Sequence, residues 1–335
     1  IEEDLIEELA RIHGYDRVPT TLPGGATRIA SPSETRVEAG VVRRQLAARD
    51  YLETVNFAFV DAQWLAHWQV ADGAVPLANP LSAELAVMRT ALLPGVVAAL
   101  QRNVARQAGR VRLFEIGNVF QAEVGTAPRE TVRLAAAVVG EAAAEQWGQP
   151  ARKVDFHDLK GDLESVAALS GAQLEFRPSL ASHGHPGRSA DVYRDNQKVG
   201  WIGQLHPRLQ RALDLDAEVI AFEVDLAPLS ARALPRAGDL SRYPSVRRDL
   251  AFVVADTVPW AEIAATARTA AGPLLRDVQL FDRYVGQGVE SGQKSLAMGL
   301  ILQDNSRTLT DADVAQVVAQ VVAAIGDAHG AKVRG

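Results

Sequence analysis

The last hundred or so residues carry the pattern that most restricts the fold of this chain. Hydrophobic periodicity predicts the order strand, helix, strand, strand, helix, strand, which is the ferredoxin-like βαββαβ motif. The second helix has the strongest signals, because Thr310 suits an N-cap, Asp313 completes a capping box and Gly326 is expected to end it. The fold hosts many functions and does not by itself indicate one. The predicted strands are 249–255, 276–285, 293–303 and 330–334, and the predicted helices are 259–271 and 311–325.

The preceding residues favour an antiparallel α+β domain. Hairpin signals are frequent, such as Asp195-Asn196, and the order of helices and strands is too irregular for a parallel βαβ sheet. Pro94 fits the first turn of a helix, where its missing N–H costs nothing. Predicted helices cover 1–13, 34–49 and 156–169, predicted strands cover 53–60, 131–140 and 220–229, and a hairpin covers 189–207.

The composition excludes several classes of protein and of functional site. The 335 residues contain no cysteine, so disulfides, cysteine-based zinc sites and thiol catalysis are excluded, and a cytoplasmic location is the simplest expectation. We find no apolar run long enough for a membrane span. The net charge of −6 means that any contact with RNA must be local. The chain begins inside a helical pattern at Ile1, which predicts that it is a piece of a longer polypeptide.

Three carboxylates of the first predicted helix form a candidate metal site. Asp4, Glu7 and Glu8 lie within one arc of the helix, and clustered oxygens suit Mg²⁺. A solvated acidic face near a helix N-terminus has the same spacing, because negative charge is favourable there. Spacing alone favours this second interpretation.

A basic segment at the start of the ferredoxin-like unit is the candidate RNA-binding site. Arg242, Tyr243, Arg247 and Arg248 lie within ten residues that contain one acid, although the whole unit has ten basic and ten acidic residues. Arginine can bind phosphate with two hydrogen bonds, and tyrosine can stack on an unpaired base. The alternative is an arm held by ion pairs to its own domain. A second candidate patch lies around Lys294 and Arg307.

Nine segments in a fixed order extend over nearly the whole chain. They are IEEDLIEELARIHGYDRVP, NPLSAELAVMRTALLPGVVAALQRNVAR, RLFEIGNVF, FHDLKGDLESV, HPGRSADVY, VGWIGQLHP, RYPSVRRDLAFVV, LFDRYVGQG and RTLTD. This ordered set resembles one known family, the bacterial phenylalanyl-tRNA synthetase β subunit, and the specificity of the resemblance comes from the order of the segments.

The resemblance implies a domain order and a division of labour. It implies an α+β chain with a degenerate class II synthetase-like antiparallel sheet domain and a ferredoxin-fold anticodon-binding domain. It also implies an (αβ)₂ heterotetramer whose α subunit binds ATP and phenylalanine, while this chain scaffolds α and binds the anticodon region of tRNA(Phe) for aminoacylation. The expected parts are a DNA-binding-like module end at 1–20, a linker at 21–33, the core at 34–230, a linker at 231–240 and the anticodon-binding domain at 241–335.

The resemblance also implies which residues act. Asp4, Glu7 and Glu8 match three acidic Mg²⁺ ligands of the family, and a fourth ligand would precede Ile1. An active class II site needs a glycine-rich strand–helix motif that ends in arginine, and IAFEVDLAPL at 220–229 has no glycine. No catalytic residue is therefore assigned. Two other functions remain open: an independently active class II ligase, and a ferredoxin-like small-molecule sensor.

Overall fold

The structure is a computed structural model that describes residues 1–21, 24, 33–123, 125, 127–237 and 240–334. The chain divides into two compact units, Ile1–Leu234 and Pro235–Gly335. The division falls inside the predicted second linker at 231–240. Most of the predicted linker at 21–33, and residues 238 and 239 of the second, lie outside the described residues. No helix among the described residues is long and apolar enough to cross a membrane.

The first unit is built on a seven-stranded sheet in the order β1-β4-β5-β9-β8-β7-β6. Only β1 and β4 pair in parallel, and the other neighbours are antiparallel as the hairpin signals predicted. Its helices are α1 (Glu2–His13), α2 (Ala39–Ala47), α3 (Ala62–Trp68), α4 (Leu93–Ala105), α5 (Phe156–Ala168), α6 (Pro207–Ala212) and α7 (Leu226–Ser230). Its strands are β1 (Leu52–Glu53), β2 (Phe59–Val60), β3 (Val87–Met88), β4 (Val111–Gln121), β5 (Arg129–Val139), β6 (Glu175–Pro178), β7 (Gly184–Arg194), β8 (Gln197–Leu205) and β9 (Ile220–Asp225).

Both faces of this sheet are buried, so its central strands read as continuous apolar runs. In β5, Leu134 and Ala136 enter one core cluster, while Ala135 and Ala137 enter the other, because successive side chains point to opposite faces. Helices α2, α5 and α7 pack on the first face, and α3, α4 and α6 pack on the second. The side chains of α4 and α5 fit this arrangement, since each helix buries one apolar stripe.

Two predicted strands of this unit are wrong in part. The predicted strand 53–60 is two short strands, β1 and β2, that belong to different sheets. Between them the Asn56 side chain bonds Glu115 on β4, so the segment does not continue as one ladder. The predicted strand 220–229 ends at Asp225, where the short helix α7 begins, because Pro228 cannot donate to a strand ladder.

The second unit confirms the predicted βαββαβ order. Its strands are β10 (Val246–Ala255), β11 (Leu275–Tyr284), β12 (Gln293–Leu302) and β13 (Lys332–Val333), and its helices are α8 (Trp260–Ala271) and α9 (Asp311–His329). The sheet order is β11-β12-β10-β13, and every neighbouring pair is antiparallel. The Thr310 and Asp313 capping box is present, with Thr310 N–H donating to Asp313 Oδ2 at 2.9 Å. The predicted end at Gly326 is wrong: α9 continues to His329, whose Nε2 lies 2.9 Å from Thr266 Oγ1 of α8, and Gly330 supplies the left-handed cap.

Candidate nucleic-acid interface and partner surface

One face of the second unit's sheet is free of that unit's helices. Phe252 and Val254 of β10, and Leu296 and Leu300 of β12, point into the cluster covered by α8 and α9. The odd-numbered residues of β10 and β12 therefore lie on the other face, which none of the described elements of this unit covers. We call it the open face. A sheet that exposes one face can present flat, polar and aromatic groups to a ligand.

Arg247 lies on the open face and is held in one orientation. Its Nε donates to Asp249 Oδ1 at 2.7 Å, and its guanidinium carbon lies 5.2 Å from the centre of the Phe281 ring. A Cβ added at Gly299 would lie 2.9 Å from Arg247 Nε, so the guanidinium rests against bare backbone. In the described residues neither Nη atom has a protein hydrogen-bond partner, which leaves a positioned fork of donors.

A second cation–aromatic pair lies on the same unit. The guanidinium carbon of Arg334 is 5.5 Å from the Tyr284 ring centre, and Tyr284 pairs with Ser295 on the open-face side of β12. Phe281 and Tyr284 are 52% and 39% exposed, which is unusual for aromatic side chains in a strand. Sequence reasoning missed Phe281, Tyr284 and Arg334. The available signal was a pair of aromatics in a strand whose apolar neighbours already supply the buried face.

The structure separates the four predicted residues of the basic segment. Arg242 is exposed, and Tyr243 is half-buried with its carbonyl accepting from Gln303 Nε2 at 2.6 Å. Arg247 and Arg248 are neighbours in a strand, so their side chains lie on opposite faces. Arg248 points toward the start of α9, where its Nη2 lies 3.5 Å from Asp311 Oδ1.

The second predicted basic patch is largely engaged within the unit. Arg307 is exposed, but both Nη atoms donate to Asp313, at 2.6 and 2.9 Å. The Lys294 side chain is only 10% exposed, and its Nζ donates to the Asp256 carbonyl at 2.7 Å. Burial lowers the pKa of Lys294, which Asp256 partly opposes and Arg283 reinforces. Neither side chain has the free, outward geometry of Arg247.

The three acidic residues of α1 are exposed, and Glu8 has a side-chain partner. Glu8 Oε2 lies 2.6 Å from Arg11 Nη2. No group of three His, Cys, Asp or Glu side chains among the described residues is arranged to hold a metal ion. A Mg²⁺ site at these carboxylates stays a prediction.

Two of the ion-pair centres among the described residues of the first unit involve charged residues of β4. At the first, Asp162 of α5 accepts from Arg112, from the Tyr51 hydroxyl at 2.7 Å and from Arg49 Nε at 2.6 Å. Burial, with the charge of Asp162, raises the pKa of Tyr51 well above its usual range, although Arg112 opposes this. These groups join β4, α5 and the segment that follows α2.

The second centre is formed by Glu115 and Arg89. Glu115 Oε1 accepts from Arg89 Nη1 at 2.6 Å, and Glu115 Oε2 accepts from Asn56 Nδ2 at 2.6 Å. Both charged side chains are at most 8% exposed. The charged residues Arg112 and Glu115 of the RLFEIG segment are thus used for internal pairing.

An exposed apolar segment lies at the edge of the seven-stranded sheet. Thr54 N–H donates to the Phe114 carbonyl at 2.8 Å, and Asn56 bonds Glu115, so the backbone is fixed. The apolar side chains between and beside these anchors point outward. Their exposures are 70% for Leu52, 94% for Val55 and 75% for Phe57. We call these three residues the edge patch; such patches at a sheet edge are typical of interaction surfaces.

His183 makes the stability of the first unit depend on pH. Burial, together with nearby Lys198 and against Asp191, lowers the pKa of His183 to about 4. Since the unfolded imidazole titrates near pH 6.5, the folded state resists protonation, so its stability is complete above that pH and is lost as pH falls toward 4. We expect about 2 kcal/mol of unfolding free energy to be lost between about pH 7 and about pH 5 through this group.

Urea unfolding of the wild type and of His183→Gln at about pH 7 and about pH 5 measures the contribution of His183 to the free energy of unfolding, because the variant lacks the titrating group. The wild type should lose more stability than the variant on acidification. Equal losses in the two proteins would show that His183 is protonated as easily in the folded state as in the unfolded chain.

Two family models match the chain, and together they span nearly all of it. The model for the phenylalanyl tRNA synthetase beta chain CLM domain matches residues 18–226. The model for the ferredoxin-fold anticodon binding domain matches residues 241–334. The first match agrees with the unit that carries the seven-stranded sheet, and the second with the unit that carries the open face.

Three curated relatives have the same name. The chain is 71% identical to the phenylalanine–tRNA ligase beta subunit of Xanthomonas campestris pv. campestris (strain 8004), 70% to that of Xanthomonas axonopodis pv. citri (strain 306) and 62% to that of Xylella fastidiosa (strain Temecula1). Each alignment covers 100% of this chain and 42% of the relative, so the chain spans less than half the length of these proteins. Neither alternative function, an independently active ligase or a small-molecule sensor, is supported by these matches. The chain belongs to the phenylalanyl-tRNA synthetase β subunit family.

Proposed function

We propose that this chain is a noncatalytic part of phenylalanine–tRNA ligase that binds the anticodon region of tRNA(Phe) and scaffolds the α subunit. The observation that carries the proposal is the open face of the second unit, where a positioned arginine and two exposed aromatics lie on a domain that matches the anticodon-binding family. The protein acts in the cytoplasm, and ATP is used at the α subunit.

The open face has the chemistry needed for unpaired RNA bases. Anticodon bases are unstacked and accessible, and proteins bind such bases by stacking aromatic rings or guanidinium planes on them. Phe281 and Tyr284 supply the rings, and Arg247 and Arg334 supply the guanidinium planes. Because the unit has no net charge, long-range attraction is modest and contact geometry determines the affinity.

Arg247 is the leading contact of the residues predicted from sequence. Asp249 fixes Nε and Gly299 lets the guanidinium lie flat, so the Nη donors are available for a phosphate or a base edge. Arg242, Tyr243, Arg248 and Arg307 remain candidates, although Arg248 points toward α9 on the helix-covered side. In this proposal Lys294 supports the unit and does not bind RNA directly, because its ammonium donates to the Asp256 carbonyl.

The edge patch is the surface that we assign to the α subunit. Its three apolar side chains are exposed while the backbone beside them is pinned to β4, so the surface is ready-formed. Obligate interfaces are large and apolar, and exposed apolar residues at a sheet edge supply such a surface. We propose that α covers this patch within an (αβ)₂ heterotetramer.

Magnesium at Asp4, Glu7 and Glu8 stays a prediction. Mg²⁺ requires near-octahedral oxygen ligands, and the three carboxylates are exposed, with Glu8 paired with Arg11. Any binding by these three residues is weak, and no step of the proposed function depends on it.

The RNA proposal predicts the effect of replacing Arg247 and Arg248 with alanine together. Binding of tRNA(Phe) should weaken, and its salt dependence should flatten by about 0.7 in log–log slope for each phosphate that the variant no longer binds. Of the single variants, Arg247→Ala should account for most of the loss, because Arg248 points toward α9. Gly299→Ala should reproduce part of the Arg247→Ala loss, since the added methyl group displaces the guanidinium.

The matched control is Arg268→Ala, which removes an exposed arginine from α8 on the helix-covered side. It should leave both the affinity and the salt slope unchanged. If Arg268→Ala weakens binding as much as Arg247→Ala, the loss reflects net charge and the open face is not the RNA surface.

A further inference from the structure

The first unit contains a cavity of about 370 Å³ that the proposed function does not use. It lies on the sheet face that packs against α3 and α4, and its lining includes Trp68, Leu93, Trp201, Arg133 and Asp225. Its volume is within the range of small-ligand sites, which are mostly apolar with a few placed polar groups.

The charged residues that line the cavity offer a ligand one donor group and one acceptor group. Arg133 and Asp225 are direct cross-strand partners on β5 and β9, with Nε donating to Oδ1 at 2.9 Å. Arg133 Nη1 donates to Glu223 Oε1 at 2.9 Å, and Glu223 Oε2 accepts from the backbone N–H groups of Leu92 and Leu93. Glu223 is therefore fully occupied by the protein.

Two atoms of this network are left over. In the described residues, Arg133 Nη2 and Asp225 Oδ2 have no protein hydrogen-bond partner. Their side chains are 31% and 35% exposed, so a ligand can reach them. Lys198 is the other charged lining residue, and its ammonium is held 2.9 Å from Asp191.

The cavity also has an aromatic wall. The His183 ring lies between the two tryptophans, with centre distances of 6.3 Å to Trp68 and 4.6 Å to Trp201. The low pKa of His183 keeps this imidazole uncharged at neutral pH. A Cβ at Gly184 would lie 2.8 Å from Trp201 Cζ2, so the indole packs against backbone that carries no side chain. An apolar group of a ligand finds a flat aromatic wall here.

We propose that this cavity binds a free α-amino acid with an apolar side chain. The ligand carboxylate accepts from Arg133 Nη2, its ammonium donates to Asp225 Oδ2, and its side chain lies against the aromatic wall that Trp68, His183 and Trp201 form. A zwitterion satisfies both leftover groups at once and adds no net charge to a partly buried site, whereas a simple amine or carboxylate leaves one group unpaired. The inference goes beyond the proposed function and does not depend on it.

Calorimetric titration of the 335-residue chain tests the site with leucine, phenylalanine and, as a polar comparison, lysine. Leucine or phenylalanine should bind saturably with a dissociation constant of about 1 mM or below, and lysine should bind at least about tenfold more weakly. For the amino acid that binds, the decarboxylated amine and the N-acetyl derivative should each lose at least about tenfold, because each lacks one of the two charges. Binding should also change tryptophan fluorescence, and Trp201→Phe should reduce that change.

Asp225→Asn removes the ammonium's partner while Arg133 keeps its bond to Glu223, and it should weaken amino-acid binding at least about tenfold. Glu218→Gln is the matched control, because Glu218 is an exposed carboxylate paired with Arg188 and does not line the cavity. If Asp225→Asn fails to fold, Ala181→Leu fills the cavity and leaves the ion pairs intact, and it should abolish binding. The proposal is overturned if the folded wild type gives no response at about 10 mM, or if the single-charge analogues bind as well as the zwitterion.

Discussion

Replacing Asp162 with alanine is expected to destabilise the first unit by about 3–5 kcal/mol, because it leaves a buried arginine without its counter-charge. Asp162 and Arg112 are 6% and 7% exposed, and Asp162 also accepts from Tyr51 and Arg49. One carboxylate of α5 thus holds β4 and the segment that follows α2 together. Denaturant unfolding followed by tryptophan fluorescence measures the change, since four of the five tryptophans lie in this unit.

Two further variants separate charge burial from helix effects. Glu164→Gln, on the same helix, breaks an exposed pair with Lys160 and should change stability by less than about 0.5 kcal/mol. Replacing Arg112 and Asp162 together by apolar residues of similar size should recover part of the loss, because the buried guanidinium is removed with its counter-charge, and the remaining partner Arg49 is 38% exposed and can be hydrated. A loss for Asp162→Ala as small as that for Glu164→Gln would mean that this centre does not stabilise the unit.

Placing aspartate at Phe57 or Val55 is expected to weaken association with the α subunit by about a hundredfold or more. An apolar side chain at the centre of an interface contributes strongly to affinity, and a buried unpaired carboxylate adds a desolvation cost. Both residues are exposed in this chain, so the substitutions should leave its own stability unchanged. Surface-immobilised α subunit titrated with each variant gives the dissociation constants.

Leu180→Asp is the matched control for the edge patch. Leu180 is a fully exposed apolar residue of the same unit that lies outside the patch, and its replacement should leave α-subunit affinity unchanged. If α binds the Phe57→Asp chain as tightly as the wild type, the α subunit contacts a different surface.

The ferredoxin-like unit was predictable from sequence because its local signals agree with its tertiary packing. Alternation in β10 and β12 and the capping box of α9 each predict the observed element, and the order of elements then fixes the sheet. The end of α9 was not predictable from Gly326, because a tertiary contact of His329 with Thr266 of α8 accompanies the last turn and a second glycine, Gly330, supplies the cap.

Short elements and faces were harder to predict than long elements. The segment 53–60 has the alternation of a strand, but side-chain hydrogen bonds from Asn56 divide it between two sheets. The basic segment appeared as one patch, yet adjacent strand residues point to opposite faces, so Arg247 and Arg248 have different surroundings. Phe281 and Tyr284 become candidates only when the covered face is known, because aromatics in strands are usually buried.

The most direct test of the central proposal compares two RNA ligands for the 335-residue chain: intact tRNA(Phe), and a tRNA(Phe) that lacks its anticodon arm. Fluorescence anisotropy at fixed salt gives both dissociation constants. The proposal predicts that loss of the arm weakens binding at least about tenfold, and that Phe281→Ala weakens only the binding of the intact tRNA, by about 1–3 kcal/mol for a lost base stack. Equal binding of the two RNAs by the wild type would contradict the assignment of the open face to the anticodon.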